Sequence, residues 1–280
     1  MIGLIVKKQP TLFEIYVEGN VYSCQARGNL KKEGLFVGDK VEFDEKNLVI
    51  EKIIPRKNKL IRPPMVNLDK MFITIASKPQ PDLYLVDKLL LFCRLNNIKP
   101  IICVNKVDED EALLNKVKEI YKNNFEIIGC SAKLNLVEEL KSQIEGVCAF
   151  AGQSAVGKSS LINSIFGKSL EEVGDFGKKI ERGKQTTRVV TLYPCEKGFI
   201  ADTAGFSQLD ERLLDVDYKE LGRYFPDFYP YINECKYQTC DHKNSIECKV
   251  KQAVKEGKIA KERYENYLKL LEIKKQEIKY

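Results

Sequence analysis

The order of two short segments constrains the fold of this chain more than any other feature of its sequence. Residues 152–159, with the sequence GQSAVGKS, match the phosphate-loop pattern in full. Residues 105–108, NKVD, have the composition of a segment that reads guanine, and they come earlier in the chain. Where a nucleotide-binding domain carries both segments, the phosphate loop ordinarily comes first. The inverted order is therefore either a coincidence or the mark of a circularly permuted domain.

The phosphate loop is the more specific segment, because a predicted strand leads into it and a predicted helix follows it. Its glycines let backbone N–H groups turn toward the phosphates, and the helix N-terminus adds the positive end of its dipole. Lys158 is expected to reach the β- and γ-phosphates, and the Ser159 hydroxyl to bind Mg²⁺. The alternative is an ordinary turn rich in glycine and serine. The predicted nucleotide-binding residues here are Gly152, Gln153, Ser154, Ala155, Val156, Gly157, Lys158, Ser159 and Ser160.

The base-reading segment is predicted from its place as well as its composition. It follows a predicted strand over residues 100–104, and α/β sheets bind ligands at the C-terminal ends of their strands. Asp108 can accept hydrogen bonds from both the ring N–H and the exocyclic amine of guanine, a pair that adenine lacks. Lys106 is expected to lie along the base and ribose, and Asn105 to brace the neighbouring loops. The predicted set is Asn105, Lys106, Val107 and Asp108, joined by Ser131, Ala132 and Lys133, which are expected to contact the guanine oxygen.

Two further segments are predicted to close on the γ-phosphate and Mg²⁺. Asp202 follows a predicted strand and is placed to hold the water shell of Mg²⁺, while the N–H of Gly205 can meet the γ-phosphate. Between this segment and the phosphate loop, Thr186 or Thr187 is expected to bind Mg²⁺, with Thr187 favoured. Phe206 stands where Ras-like enzymes carry a water-orienting glutamine, so unassisted hydrolysis is expected to be slow. The predicted magnesium ligands are Ser159, Thr187 and Asp202.

A second predicted site lies toward the C-terminus, where three cysteines and the only histidine fall within fourteen residues. The spacing suits a tetrahedral zinc site with Cys₃His ligands, and four protein ligands leave no open position for catalysis. The intervening residues are polar and too poor in apolar side chains to fold without a metal. The alternative is a set of free thiols beside an unrelated histidine. The predicted zinc ligands are Cys235, Cys240, His242 and Cys248.

The pattern of predicted elements divides the chain into three parts. Residues 1–62 show several short strands without a helix, which predicts a small barrel; an OB-fold is favoured, and an SH3-like barrel stays open. Residues 63–207 alternate strands and helices, which predicts a mostly parallel α/β sheet. Residues 208–280 are predicted to be helical around the Cys/His cluster. They end in a charged helix on which four apolar or aromatic residues share a face: Tyr264, Tyr267, Leu268 and Leu271.

Composition and charge describe a globular chain with a mildly basic surface. The 44% apolar and 31% charged residues are typical of soluble proteins, and no run suits a signal peptide or membrane span. The net charge of +6 permits an anionic partner, and three basic clusters (residues 56–62, 178–188 and the tail after Cys248) favour RNA. The nine cysteines suggest a reducing cytosol, with the six outside the Cys/His cluster in the core. We expect a cytoplasmic monomer without a membrane partner.

Taken together, these residues resemble the ribosome small-subunit-dependent GTPase A family, the RsgA type. The resemblance covers nearly the whole chain: the barrel-like start, the permuted order of the nucleotide motifs and the spacing of the zinc motif. It implies a circularly permuted P-loop GTPase domain between an N-terminal OB-like β-barrel and a C-terminal helical zinc-binding domain. It also implies a late assembly factor that binds the small ribosomal subunit and its rRNA, hydrolyses GTP to GDP when that subunit stimulates it, and leaves. The cofactors it implies are one structural Zn²⁺ and Mg²⁺ with GTP.

Two departures from the family pattern bear on catalysis. The family usually has a histidine just before the paired threonines, thought to assist hydrolysis; Gln185 stands there, and its amide can also orient water. Ala204 replaces the usual proline between Asp202 and Gly205, which keeps both the carboxylate and the glycine. The catalytic residues carried by motif and resemblance are Lys158, Ser159, Gln185, Thr187 and Gly205.

Two rival interpretations belong to other functional classes. One is a nucleic-acid-binding regulator whose nucleotide site is a relic, although Asp108, Lys158, Ser159 and Asp202 are all intact. The other is a GTPase acting on a non-ribosomal RNA or a membrane surface, although the tail lacks the large apolar face of an interfacial helix. Because the chain enters the zinc-bearing part directly after Gly205, GTP is expected to order residues 186–188 and that following segment. This ordering is expected to set the angle of the zinc module against the barrel.

Overall fold

The computed structural model describes residues 1–168, 190–202, 206 and 209–277. Several residues with predicted roles lie outside the described residues, namely Gln185, Thr186, Thr187, Ala204 and Gly205. The basic cluster at 178–188 also lies outside them, as does the predicted ordering of residues 186–188.

The first part of the chain is a closed five-stranded barrel. Its strands follow the order β1-β2-β3-β5-β4, and β4 pairs back with β1. The pair β3–β5 is parallel, whereas the other neighbouring pairs are antiparallel. This closed order is that of an OB-fold, so the SH3-like alternative is excluded. The strands are β1 Ile2–Lys8, β2 Phe13–Val17, β3 Asn20–Ala26, β4 Lys40–Asp44 and β5 Val49–Ile53.

A short helix, α1 Gly28–Glu33, lies between β3 and β4. The expectation that this part of the chain contains no helix was therefore wrong. Six residues are too few for a helical hydrophobic period to stand out in a sequence. The barrel core beneath it is apolar, and its fully buried members include Ile5, Ile15, Val41 and Ile50.

The middle of the chain is the predicted α/β sheet. Five strands run parallel in the order β10-β9-β8-β11-β13, and β12 lies antiparallel beside β13. Helices cover both faces, which is why strands such as β8 are almost continuously apolar. The strands are β8 Lys70–Ile75, β9 Lys99–Val104, β10 Glu126–Gly129, β11 Gly146–Ala151, β12 Thr191–Pro194 and β13 Gly198–Asp202. The helices are α2 Leu83–Leu95, α3 Glu111–Tyr121, α4 Glu138–Ser142 and α5 Lys158–Phe166.

The barrel and the sheet are joined by backbone pairing. Strand β12 pairs antiparallel with β1 at Lys7 and Thr191, so the two sheets form one continuous ladder. A two-stranded ribbon of β6 Lys59–Leu60 and β7 Met65–Val66 lies in the connection between the barrel and the sheet.

The C-terminal part is helical, and no strand occurs among the described residues after Asp202. Three single-turn 3₁₀ helices come first, at Glu211–Leu213, Leu221–Tyr224 and Pro226–Phe228. The α-helices follow as α6 Tyr229–Ile232, α7 Lys249–Lys255 and α8 Lys261–Glu277.

The buried face of α8 differs from the predicted one. Tyr267 and Leu271 are buried as expected, but Tyr264 and Leu268 are only partly buried. The residues that complete the buried face are Leu270 and three polar ones: Arg263, Asn266 and Lys274. Their polar groups have partners on distant elements, which an analysis of hydrophobic period cannot see.

Candidate nucleotide and metal sites

The predicted nucleotide segments meet at one edge of the parallel sheet. The phosphate loop follows β11, residues 105–108 follow β9, residues 131–133 follow β10, and Asp202 ends β13. Because these strands are parallel neighbours, their C-terminal ends lie side by side. The permutation changes where the chain starts and leaves this arrangement of loops intact.

Two glycines of the phosphate loop are required by its geometry. Gly152 has φ +123° and Gly157 has φ +94°, both in the region that favours glycine. A side chain at Gly152 would clash with the carbonyl of Thr74, and one at Gly157 would clash with the amide of Asn105. The backbone N–H of Gly152 donates to the carbonyl of Phe206 at 3.1 Å. The loop is thus packed tightly against its neighbours on β8, β9 and the segment beyond β13.

Lys158 begins α5 and turns its ammonium back into the phosphate loop. Its Nζ donates to the carbonyl oxygens of Gly152 and Gln153 at 2.7 and 2.5 Å. Partial burial lowers the pKa of Lys158. Ser159 and Ser160, at the start of the same helix, are exposed. The loop therefore presents a cation and two hydroxyl groups near a helix N-terminus, an arrangement suited to phosphate and Mg²⁺.

Asn105 joins the base-reading and phosphate-binding loops. Its side chain is buried; Nδ2 donates to the carbonyl of Val156 at 2.9 Å, and Oδ1 accepts from the N–H of Ala132 at 3.4 Å. Lys106 makes a similar link, since its Nζ donates to the carbonyls of Lys78 and Ala155 at 2.8 and 3.3 Å. The predicted bracing role of Asn105 corresponds to these contacts.

Asp108 is held in a fixed orientation beside the loop of residues 131–136. The Ser131 hydroxyl donates to Asp108 Oδ1 at 2.5 Å, and Lys133 Nζ lies 3.9 Å from Oδ2. Ser131 is itself fixed by a pair of backbone hydrogen bonds with Leu136. The Asp108 side chain is only 9% exposed, although the residue as a whole is exposed.

The residues around the predicted magnesium ligands are only partly described. Asp202 is the exposed last residue of β13, and Ser159 lies at the start of α5. Phe206 is fully buried, with its ring 6.1 Å from that of Phe92 on α2. Its side chain therefore packs into the protein, away from any attacking water.

Sequence reasoning missed the loop of residues 78–82, which lies against the phosphate loop. Gln153 was predicted to bind nucleotide, but its side chain contacts this loop: Nε2 donates to the carbonyl of Gln80, and Oε1 accepts from the N–H of Asp82. Asp82 also caps α2 by accepting from the N–H of Leu85 at 2.9 Å. An aspartate before an apolar helical run is a recognisable cap signal, which locates the start of α2. It gives no indication of the contact with Gln153.

Some cations of two basic clusters are engaged within the protein. Arg56 forms an ion pair with buried Asp39, with Nε 2.6 Å from Oδ1, and Lys57 pairs with Asp69. In the tail, Arg263 and Lys274 are buried. These four present little charge to a partner, whereas the other described cations of the two clusters, such as Arg62 and Lys249, include exposed ones.

The four predicted zinc ligands come together between α6 and α7. Their donor atoms all lie within 4.8 Å of one another. Nδ1 of His242 is 3.7 Å from Sγ of Cys235 and 3.5 Å from Sγ of Cys248, and these two sulfurs are 3.9 Å apart. A tetrahedral Zn²⁺ requires separations of about 3.6 Å between nitrogen and sulfur and about 3.8 Å between sulfurs. The donor set and its spacing fit a structural zinc ion.

Aromatic residues from α8 and from the 3₁₀ helix Pro226–Phe228 hold this cluster in place. The hydroxyl of Tyr264 donates to the carbonyl of His242 at 2.7 Å, and that of Tyr267 donates to the carbonyl of Asp241 at 2.8 Å. The rings of Phe228 and Tyr267 pack against the imidazole of His242. Burial lowers the pKa of His242 to about 4, so the imidazole is neutral, which is the form that binds metals.

Three features define the class of this protein as a circularly permuted GTPase. They are an OB barrel, a permuted P-loop sheet with the predicted guanine- and phosphate-binding segments at one edge, and a Cys₃His cluster. The family model of the RsgA GTPase matches residues 53–212, and that of the RsgA N-terminal domain matches residues 2–49. This chain belongs to the RsgA GTPase family and is a GTP-hydrolysing enzyme. The family and fold class predicted from the sequence are confirmed.

Individual relatives agree over almost their whole length. The small ribosomal subunit biogenesis GTPase RsgA of Clostridium acetobutylicum is 42% identical, covering 97% of this chain and 96% of the relative. That of Clostridium novyi is 40% identical and covers 97% of each. The crystal structure of YjeQ from Thermotoga maritima matches with a TM-score of 0.81 at 31% identity, covering 98% of both chains. YloQ, a circularly permuted GTPase, matches with a TM-score of 0.82 at 29% identity, covering 99% of this chain and 95% of that one.

None of the helices in the described part of the chain has the length and apolar character needed to cross a membrane.

Proposed function

We propose that this GTPase acts as a late maturation factor of the small ribosomal subunit, hydrolysing GTP to GDP and phosphate when that subunit stimulates it. The observation that carries the nucleotide part is the position of Asn105, which bonds to both the phosphate loop and the loop of residues 131–136. The ribosomal part rests on relatives named small ribosomal subunit biogenesis GTPase.

Within this proposal, guanine is read by Asp108, which accepts from the ring N–H and the exocyclic amine. Lys158 neutralises the β- and γ-phosphates, while Ser159, Thr187 and Asp202 serve Mg²⁺. The remaining nucleotide contacts are those predicted from the sequence over residues 105–108, 131–133 and 152–160. Gln185 is proposed to orient water, and the N–H of Gly205 to meet the γ-phosphate; both lie outside the described residues.

The buried position of Phe206 supports slow hydrolysis by the free protein. Phenylalanine has no amide with which to orient the attacking water. A group from the ribosomal subunit or Gln185 must therefore orient it. Dependence on the subunit is therefore part of the proposal.

The remaining parts of the proposal concern metal, partners and domain limits. One structural zinc is held by Cys235, Cys240, His242 and Cys248, and when bound it supplies stability that the polar segment between them lacks. The domain limits are proposed at 1–62, 63–207 and 208–280. The protein is proposed to act as a cytoplasmic monomer on the subunit's rRNA, without a membrane partner.

The test is GTP turnover by the purified protein alone, with small ribosomal subunits, and with large subunits. Stimulation by small subunits only is the expected result. Equal turnover in all three would leave a guanine-nucleotide enzyme and overturn the ribosomal assignment.

A change of base preference tests the guanine site separately. Asp108→Asn keeps an acceptor for the ring N–H but places a donor opposite the exocyclic amine, so GTP binding should fall on the order of 10⁴-fold. The same variant should favour xanthosine triphosphate, whose 2-carbonyl accepts where guanine donates. Glu138→Gln, on the exposed face of α4, is the matched control and should leave both affinities unchanged. Retention of GTP preference by Asp108→Asn would remove Asp108 from base reading.

A further inference from the structure

Beyond the predicted γ-phosphate sensor, two described parts of the chain lie near the phosphate loop. The carbonyl of Phe206 accepts from the phosphate-loop N–H of Gly152 at 3.1 Å. Residues 209–211 line a cavity together with Gln153 and Ser154 of the phosphate loop, and Asp210 caps the short helix Glu211–Leu213 by accepting from the N–H of Arg212. The position of residues 209–211 therefore bears on the surroundings of the phosphate loop.

One cation that fixes this segment comes from α2. Nζ of Lys88 donates to the carbonyl of Leu209 at 3.0 Å and pairs with Oε1 of Glu211 at 2.7 Å. The Lys88 side chain is only 11% exposed. This contact ties the segment to the helix that begins at the loop of residues 78–82, which itself touches Gln153 of the phosphate loop.

A second cation comes from the far end of the chain. Nζ of Lys274, on α8, donates to the backbone carbonyl of Glu211 at 2.9 Å and pairs with Oε2 of Glu277 at 2.7 Å. The Lys274 side chain is 4% exposed, and a buried ammonium is unfavourable unless its donors are paired. Glu211 therefore has its carboxylate held by α2 and its carbonyl held by α8.

The position of α8 is set independently at two other places. Near its start, Asn266 donates to Asp87 of α2 at 2.7 Å, and Arg263 pairs with the same carboxylate. At the directly following positions, Tyr264 and Tyr267 bond to the backbone of the metal cluster. Helix α8 thus contacts the metal cluster, α2 and Glu211. It therefore connects the metal cluster to residues 209–211.

We propose that Lys274 is a positioning residue for GTP hydrolysis, acting through Glu211 together with Lys88. The C-terminal helix, by this contact, supports residues 209–211, which line a cavity with Gln153 and Ser154 of the phosphate loop, so the placement of the zinc-bearing part bears on turnover. Lys274 acts by holding Glu211 in position.

The test compares Lys274→Met with Lys261→Met, an exposed position on the same helix. Methionine keeps the apolar stem and removes the cation. For Lys274→Met, kcat for GTP without ribosomes should fall roughly 3- to 30-fold, while KM for GTP and the affinity for GDP stay unchanged. Lys274→Arg, which keeps a cation, should retain most of the turnover, and Lys261→Met should match the wild type.

Two results would overturn the proposal. One is an unchanged kcat in a folded Lys274→Met protein with its metal bound; the other is a matching loss of GDP affinity, which indicates general damage to the site. If Lys274→Met does not fold, Lys88→Met is the variant that tests the proposal, because it removes the other cation from Glu211. It must show the same loss of kcat at constant KM. All of these measurements use the unstimulated reaction, so their outcome is separate from whether ribosomal subunits stimulate turnover.

Discussion

A buried ion-pair cluster fastens the C-terminal helix to the GTPase domain. Arg263 on α8 pairs with Asp87 on α2 and with Asp227, whose Oδ2 lies 2.6 Å from Nη2. Asp87 also accepts from Asn266 at 2.7 Å and from the hydroxyl of Tyr121 at 3.0 Å. Arg263 is 2% exposed and the Asp87 side chain is fully buried, so water cannot solvate either charge if its partner is removed.

Replacing Arg263 by methionine should destabilise the protein strongly. Removing one partner of a buried pair costs about 3–5 kcal/mol, because an uncompensated charge stays behind. Asn266 and Tyr121 still donate to Asp87 in the variant, which favours the lower end, about 3 kcal/mol. The double variant Asp87→Asn/Arg263→Met also removes the charge of Asp87, leaves only Asp227 without its partner, and should recover part of that loss.

The stability that Arg263→Met loses should depend on pH in a defined direction. Burial raises the pKa of Asp87, and the charge of Arg263 acts in the opposite direction. Without Arg263 the pKa of Asp87 rises further, so the folded state binds a proton more tightly than the unfolded chain, whose value is about 4. Stability of the variant is then lost as pH rises and regained as it falls. The deficit against wild type should be smaller at pH 5.5 than at pH 7.5.

The assay is urea unfolding followed by far-UV circular dichroism, with zinc present throughout. Arg223→Met is the matched control: its pair with Glu220 is exposed, at 69% and 50%, and its loss should cost less than about 1 kcal/mol. The reasoning is refuted if Arg263→Met costs no more than Arg223→Met. It is also refuted if the deficit is the same at both pH values.

Three further predictions concern the nucleotide and metal sites. Gly157→Ala forces a left-handed residue against Asn105 and should weaken GTP binding by about 1–3 kcal/mol; unchanged affinity in calorimetry would contradict the packing. Asn105→Ala should leave the bonds to Val156 and Ala132 unmade and lower nucleotide affinity by a similar amount; an unchanged affinity in calorimetry would remove Asn105 from the support of the site. Cys240→Ser should abolish stoichiometric zinc and reduce the helical signal, whereas Cys195→Ser, outside the cluster, should keep both; equal zinc content in the two would remove Cys240 from the metal site.

Much of this protein could be predicted from sequence because the relevant information is local. The phosphate loop is a continuous pattern, and the alternation of strands and helices in residues 63–207 is visible because elements such as α2 have their apolar period and cap within one segment. The order of the nucleotide motifs then indicated the permuted fold, and the spacing of the cysteines around His242 indicated the metal cluster that the structure brings together.

What the tertiary structure decided involves partners far apart in the chain. Closure of the barrel as an OB-fold depends on pairing of β1 with β4, and the exclusion of an SH3-like barrel required that pairing to be seen. Arg263 and Lys274 are charged residues on a charged helix, so the sequence alone favours their exposure. They are buried because Asp87, 176 residues from Arg263, and the carbonyl of Glu211 satisfy them. A local sequence pattern indicates secondary-structure propensity and hydrophobic period. The burial of a charge depends instead on a partner that only the folded chain brings within contact distance.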